Sequence, residues 1–269
     1  MAQPATREIY SDNSISAAVF DLQTTLVSTV CDGDVDFYRM EASGASHVLE
    51  LGVGTGRVAW SLAEAGHHVT GIDVSKAMLA IAADKRADHI PVVSNRLQLH
   101  QADMAEFLLP ERYDLAIAPF RSFNQLAEPD QAAKCLRHIH KHLQPGGRAI
   151  LHLMPFPEHL LNTLGEPPPD EPLELVFPNG AILTAQFCHR TVDFSNQLLR
   201  LGIDYTYRDA NGVVQDQSRE FGTLRWFGWP EFRYLAALSD FVVQAEYSDF
   251  YGSPLRAGGE QVWILAKPS

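Results

Sequence analysis

The stretch that most constrains this chain is Val48-Leu49-Glu50-Leu51-Gly52-Val53-Gly54-Thr55-Gly56-Arg57. An apolar run leads into three glycines at alternate positions, and residues 57–65 then read as a helix. The pattern predicts a strand, a tight turn and a helix. Glycines lack a Cβ, so they permit a left-handed backbone and let a ligand come close to the chain. The free N–H groups at the start of the helix would face that ligand. Glu50, two residues before the first glycine, adds information. A carboxylate aimed into such a site repels pyrophosphate and suits a cationic or hydroxyl-bearing ligand. A dinucleotide fingerprint, G-x-G-x-x-G, would need glycine at position 57, where Arg57 stands.

The chain around this turn has 269 residues, enough for one large domain or one domain with an insertion. Its formal net charge of −12 and the absence of any Lys/Arg cluster disfavour nucleic acid and anionic membrane as partners. Cys31, Cys135 and Cys188 are scattered and odd in number, which fits reduced thiols in a cytoplasmic protein rather than a disulfide framework. The N-terminus lacks the basic start and apolar core of a signal peptide. No apolar run reaches the roughly 18–20 residues that span a bilayer.

Strands and helices then alternate. Residues 68–72 read as a strand ending in Asp73, with Ser75 capping a helix to about Ala83. Residues 97–100 form a third strand ending near Asp103. Residues 113–118 form a fourth, apolar as a strand buried on both faces should be. Residues 130–143 are a helix stopped by Pro145-Gly146-Gly147, and 148–154 a fifth strand. This alternation predicts a doubly wound α/β fold with a parallel sheet. After Pro155 the character changes. Glu166-Pro167-Pro168-Pro169 reads as a linker or loop. Residues 173–177 and 181–192 read as a hairpin across Asn179-Gly180. Residues 196–208 and 213–225 add two strands with no helix between them, so an inserted small antiparallel sheet is expected. Pro230 opens a helix over 231–239, and residues 241–247 and 261–266 are closing strands.

The acid-x-Gly-x-Gly-x-Gly turn resembles motif I of the class I S-adenosylmethionine (SAM) methyltransferases. Gly71-Ile72-Asp73-Val74-Ser75 with Met78-Leu79, Gln101-Ala102-Asp103-Met104, the loop of residues 120–126 and Pro145-Gly146-Gly147 match the same family. With the inserted sheet, the layout is similar to the deoxyamino-sugar N-methyltransferases. The resemblance implies a mostly parallel, seven-stranded Rossmann-like sheet whose last strand runs antiparallel. It divides the chain into an N-terminal cap segment (1–45), a SAM-binding core (46–155), an inserted antiparallel substrate or lid subdomain (156–225) and a C-terminal completion of the core sheet (226–269). The cofactor implied is SAM, leaving as S-adenosylhomocysteine.

In doubly wound sheets a ligand lies across the carboxyl ends of the strands, and the marked residues fall there. Asp73 is expected to accept the ribose hydroxyls, and Asp103 to take the adenine amino group while Met104 packs the ring. Met78 would cover the other face, or be simple core. Glu50, Gly52, Gly54, Thr55, Gly56, Val74 and Pro119 complete the expected cofactor site, with Tyr10 and Tyr38 as candidates to cover it or to pack the domain edge. The 120–126 loop would face the methyl group and the acceptor. It lacks the [Asp/Asn]-Pro-Pro-aromatic motif of enzymes that methylate DNA bases and glutamine side chains. The amino-sugar enzymes carry a histidine near the end of this loop; here Gln125 stands there, and an amide cannot serve as a base.

Methyl transfer from a sulfonium needs alignment more than acid–base chemistry, and no acid–base constellation is evident. Arg121, Asn124, Gln125, His152, Tyr205 and Arg225 are the candidate substrate-facing polar groups, each with a structural role as its alternative. His138 and His142 sit one turn apart but lack a third metal ligand, so no metal is expected. The expected activity is methylation of N or O of a small-molecule acceptor in specialised metabolism. A homodimer is left open as an assembly. The alternatives are a SAM-binding enzyme that does not methylate, such as a cyclase, a regulatory SAM-binding protein, and a nicotinamide dehydrogenase, which Arg57 disfavours.

Overall fold

The structure is a computed structural model that describes residues 5–26, 30–128, 130–156 and 171–269. In chain order the elements are β1 (Ala5–Glu8), α1 (Ile15–Leu26), α2 (Asp34–Glu41), β2 (His47–Leu51), α3 (Arg57–Glu64), β3 (His68–Asp73), α4 (Lys76–Asp84), α5 (Pro91–Ser94), β4 (Leu97–Gln101) and β5 (Tyr113–Ala118). There follow α6 (Gln131–His142), β6 (Leu143–Leu153), β7 (Leu173–Val176), β8 (Ile182–Asp193), β9 (Leu198–Arg208), β10 (Val214–Arg225), α7 (Trp229–Leu238), β11 (Val242–Tyr247) and β12 (Gln261–Ala266).

Seven strands form one sheet in the order β11-β12-β6-β5-β2-β3-β4. β2, β3, β4, β5 and β6 pair in parallel, while β12 runs antiparallel to β6 and β11 antiparallel to β12. This is the seven-stranded, mostly parallel Rossmann-like sheet expected from the sequence. Both faces are covered, which explains the near-continuous apolar strands. Leu49, Leu51, Ala116, Leu151 and Trp263 bury one face against Leu136 and Ile139 of α6 and Phe232 of α7. Val48, Leu115, Ile117, Ile150 and Ile264 bury the other against Phe37 and Tyr38 of α2 and Val58, Ala59 and Leu62 of α3. Strand order reverses between β2 and β5, and a crevice opens there at the carboxyl ends.

The second sheet has the order β1-β10-β9-β8-β7. Its four consecutive strands are antiparallel, with the Asn179-Gly180 turn where the sequence predicts it. The fifth strand differs from expectation. β1, from the N-terminal segment, pairs parallel with β10 through Ala5–Ser218 to Glu8–Phe221. The expected break at Pro145-Gly146-Gly147 also differs, because the backbone of β6 already pairs at Leu143 with Tyr113. The proline-rich stretch 166–169 lies outside the described residues.

Helix α1 joins the two sheets by packing in two directions. Ile15 and Val19 bury against Leu175, Leu183 and Tyr205 of the second sheet, while Ala17 and Phe20 turn toward Met78 of α4. Its first turn is held by Glu220 of β10. This buried carboxylate accepts from Ile15 N at 2.6 Å and Ser16 N at 3.3 Å, and from Ser218 Oγ at 2.6 Å. A negative side chain satisfying free N–H groups at a helix start is favourable on both hydrogen-bond and dipole grounds.

Glu220→Ala should therefore leave three buried donors, Ile15 N, Ser16 N and Ser218 Oγ, without this acceptor and lower stability by about 1–3 kcal/mol. Chemical denaturation of the variant and the wild type measures it; equal midpoints and slopes would remove Glu220 from this role.

Candidate active site

The glycine turn follows β2 directly. Gly52, Gly54 and Gly56 all have positive φ, at +66°, +54° and +79°. A Cβ at position 52 would lie 2.6 Å from Ser122 Cβ, so only glycine brings this turn against the loop after β5. The turn is tied to the tip of β3: Gly54 N–H donates to Asp73 Oδ2 at 2.8 Å, and Ser75 N–H donates to Asp73 Oδ1 at 2.9 Å. Ser75 caps α4 as expected, accepting from Met78 N at 3.2 Å, and its hydroxyl donates to the Tyr10 carbonyl at 2.5 Å.

A cavity of about 450 Å³ opens beside this turn. Of the residues expected from the sequence, Glu50, Gly52, Gly54, Asp73, Val74, Met78, Asp103, Met104, Pro119, Gln125 and Tyr10 line it. Tyr38, Thr55 and Gly56 do not. Tyr38 is fully buried behind the site, its ring packed on Phe37 and Phe250. The Thr55 hydroxyl donates to Asp21 Oδ1 of α1 at 2.6 Å, and Gly56 is the N-cap of α3 beneath Trp60.

Most of the expected substrate-facing groups are also placed elsewhere. Asn124 is buried, with Nδ2 donating to the Arg225 carbonyl at 2.6 Å and Oδ1 accepting from Met154 N at 2.9 Å. Arg121 forms a two-pronged pair with Glu260, whose Oε2 also lies 2.8 Å from His152 Nε2. His152 is fully buried, and burial holds its imidazole below the usual histidine range although Glu260 opposes this. Burial alone would push Glu260 up, but His152 and Arg121 hold it below the carboxylate range. Tyr205 is buried in the contact between α1 and the second sheet. Arg225 lies 3.4 Å from Glu231. His142 is occupied on both ring nitrogens, with Nδ1 2.8 Å from the His138 carbonyl and Nε2 accepting from Leu109 N at 3.0 Å, whereas His138 Nδ1 is buried without a hydrogen-bond partner.

Sequence reasoning missed several wall residues. Phe20 of α1 stacks edge-on between Tyr10 and Phe120, with centroids 5.4 and 5.5 Å away, closing one side with aromatic surface. Glu8 and Asp12 come from the N-terminal segment, and Asp12 Oδ1 accepts from Ala77 N at 3.1 Å. Arg57 also reaches the wall, with its Nη1 2.7 Å from Asp34 Oδ1. These groups converge only in three dimensions; in the sequence Tyr10 is marked as a candidate cover, Phe120 as part of the 120–126 loop and Arg57 only as a departure from the dinucleotide fingerprint.

Glu50 is the most distinctive group on the wall. It is 2 % exposed, and its Oε2 has no hydrogen-bond partner. Burial pushes its carboxyl well above the usual carboxylate range; Arg57 pulls the other way, and Asp34 and Asp73 reinforce burial. Burial likewise raises Asp73, against the hydrogen bonds it accepts from Ser75 and Gly54. A buried acceptor without a donor is rare in a finished structure and points to a donor or cation brought by a ligand.

The pattern of a methyltransferase-domain family matches residues 48–147, from the β2 strand to the start of β6. Residues 48–147 therefore carry a methyltransferase domain. The fold around it is that of the class I SAM methyltransferases. The domain is 32% identical over 104 residues to the cypemycin N-terminal methyltransferase of Streptomyces sp, a match covering 39% of this chain and 40% of that relative's length. The match to the dTDP-4-amino-2,3,4,6-tetradeoxy-D-glucose N,N-dimethyltransferase of Saccharopolyspora spinosa is 24% identical over 213 residues, covering 79% of this chain and 77% of the relative. The fold is similar to that of the CcbJ methyltransferase from Streptomyces caelestis, with a TM-score of 0.73 and 22% identity over 97% of this chain and 99% of that one. The cavity fits SAM on its own terms: an unpartnered buried carboxylate, a turn with glycine at 52, 54 and 56, and a volume typical of small-ligand sites. Among the described residues, no helix is long and apolar enough to cross a membrane.

Glu50 gives the ligand-free protein a defined pH response. Its folded pKa exceeds its unfolded one, so the stability linked to it is present below the ordinary carboxylate range. That stability is lost as pH rises toward the raised value. The loss should approach about 1.4 kcal/mol per pH unit inside this window, and Glu50→Gln should flatten it. Denaturation midpoints across pH check this; the same slope in both proteins would contradict the assignment.

Proposed function

We propose that this protein transfers the methyl group of SAM to a nitrogen or oxygen of a small-molecule acceptor in specialised metabolism, with an amine nitrogen as the preferred atom. The observation that carries the reading is the unpartnered Glu50 carboxylate beside Asp73 and Asp103, on one cavity at the switch point of the sheet. SAM, when bound, supplies a methyl group on an electrophilic sulfonium. The amine preference is supported by the names of two relatives, an N-terminal methyltransferase and an amino-sugar N,N-dimethyltransferase.

Glu50 would meet the cationic end of SAM, where burial makes the pairing strong. Asp73 would accept from the ribose hydroxyls with the lone pairs that Gly54 and Ser75 leave free. Asp103 would hold the adenine edge, with Met78 and Met104 packing its faces. Tyr10, Phe20 and Phe120 would keep water from the reacting centre. Gln125 is the candidate polar group of the post-β5 loop that lines the cavity. Its amide can orient an acceptor by donating and accepting hydrogen bonds, and it neither takes nor gives a proton. These residues therefore align the reactants, and alignment of this kind is worth about 7–11 kcal/mol of barrier. Arg121, His152 and Glu260 act behind the loop, fixing its backbone.

Purified protein with SAM and a panel of small amines and alcohols should release S-adenosylhomocysteine in step with a methylated product. A regulatory or non-methylating role predicts SAM binding without that release. Asp73→Ala should weaken SAM by about 10–150-fold, the equivalent of losing about 1.5–3 kcal/mol of charged hydrogen bonding. An unchanged dissociation constant by calorimetry would refute the ribose role.

A further inference from the structure

The chain leaves the seven-stranded core at the end of β6 and re-enters it at the end of β10, and two buried amides clamp both crossings. The last pair of the β6–β12 ladder is Leu153–Gln261, and beyond it the backbone of Met154 is met by side chains. Met154 N–H donates to Asn124 Oδ1 at 2.9 Å, and the Met154 carbonyl accepts from Gln261 Nε2 at 3.1 Å. The same two amides reach the returning chain. Asn124 Nδ2 donates to the Arg225 carbonyl at 2.6 Å, and Gln261 Nε2 donates to the Phe227 carbonyl at 3.0 Å. Asn124 is 0 % and Gln261 1 % exposed, and Trp263 Nε1 holds the Gln261 oxygen at 3.2 Å. An amide carries a donor and an acceptor on one planar group, so Asn124 can join an N–H of one crossing to a carbonyl of the other.

What hangs from this clamp is the roof of the cavity. β10 carries the N-terminal segment: β1 pairs along it, Ile9 N–H donates to the Phe221 carbonyl at 2.9 Å, and Glu220 holds the first turn of α1. Ile9 packs so closely that a Cβ on Gly222 would come within 2.9 Å of its Cδ1. Ile9, Tyr10, Asp12 and Phe20 of this segment line the cavity. The facing wall comes from the loop after β5, through Phe120, Ser122 and Gln125. Asn124 belongs to the turn Ser122–Gln125, one residue before Gln125, and its Nδ2 is bonded to the last residue of β10. One side chain therefore joins the wall to the strand that bears the roof.

Over β3 and α4 the roof has ties of its own. The Ser75 hydroxyl donates to the Tyr10 carbonyl at 2.5 Å, and Ala77 N–H donates to Asp12 Oδ1 at 3.1 Å. That is the side of Asp73 and Met78, where adenosine would lie in the reading above. On the other side the roof meets the wall through rings, Phe20 standing edge-on to Phe120 at 5.5 Å. Apolar contact has no fixed direction, so the placement of roof against wall on that side depends on the clamp.

We infer that Asn124 and Gln261 are positioning residues for methyl transfer, setting where the roof borne by β10 stands over the Phe120–Gln125 wall and so where the acceptor atom lies relative to the sulfonium methyl. This rests on the methyltransferase reading of the same cavity. Neither residue lines the cavity, and both act through the backbone they hold. A misplacement of about 1 Å made away from the chemistry can cost about 100-fold in rate, so the clamp governs turnover more than cofactor affinity.

The test compares full-length wild type with Asn124→Leu and Gln261→Met, which stay near the native side-chain volume and remove the bonds; either variant serves if the other fails to fold. Hydrogen exchange is read by mass spectrometry on protein loaded with S-adenosylhomocysteine. Exchange should rise at least about fivefold across residues 5–16 and 214–225 and stay unchanged across 47–51 and 68–73. A rise confined to 122–126 and Met154, no rise, or an equal rise throughout the core sheet overturns the inference. With the panel amine that wild type turns over fastest, kcat should fall about 10- to 100-fold while the SAM dissociation constant stays within about threefold. An unchanged kcat, or parallel losses of kcat and SAM affinity, also overturns it. Absence of methylated product from the wild type with every compound of the panel would instead remove the methyltransferase reading. The exchange pattern tests the clamp itself, so the two failures are distinguishable.

Discussion

The hydrogen bond from Gly54 N–H to the Asp73 carboxylate, 2.8 Å long, is the contact on which the site depends. It joins the turn after β2 to the tip of β3, next to the point where strand order reverses. It forms because Gly52 and Gly54 accept a left-handed backbone that side-chain-bearing residues adopt only under strain. With the turn so folded, Glu50 is left on the inner wall and Gly52 and Gly54 bring bare backbone to the cavity. The parallel sheet supplies rigidity, since both of its faces are sealed by helices. The strained loop after β5, where Phe120 and Arg121 both have positive φ, is held from behind by the Arg121–Glu260–His152 contacts.

A second constraint is the double use of α1. A short helix with apolar residues on two faces cannot rest on one sheet alone. Ile15 and Val19 bind it to the second sheet, Ala17 and Phe20 bring it over the cavity, and the Asp21 carboxylate meets Thr55 and Lys85. The second sheet thus reaches the cavity through this helix and through β1, whose last residue, Glu8, is on the wall. In physical terms, the N-terminal segment is the joint between the two sheets.

The features legible in the sequence were those encoded locally. Period-2 apolar strands, the alternating glycines, the Ser75 cap and acids placed at strand ends all announce themselves within a few residues. The sheet and much of the cavity wall follow from them, including Glu50, Asp73, Asp103 and Gln125. What the sequence hid was long-range polar pairing. Arg121 and Glu260 are 139 positions apart, and Ile15 and Glu220 are 205 apart. No periodicity marks such partners, so Arg121, Asn124 and His152 looked available to a substrate when each was committed to the scaffold. β1 was missed for a related reason: four mostly polar residues become a strand only when β10 offers an edge. Tyr38 was misplaced because an aromatic before the first strand can face the ligand or the core, and α2 turns it inward.

The central claim is that the turn after β2 and the acids at the strand tips form a cradle for an adenosyl sulfonium. The most direct measurement is a calorimetric titration of the purified protein with SAM and, separately, with oxidised and reduced nicotinamide dinucleotides. The account predicts one SAM bound per chain with a dissociation constant of about 1–100 μM, and no measurable dinucleotide binding. Dinucleotide binding in that range with none for SAM would contradict it.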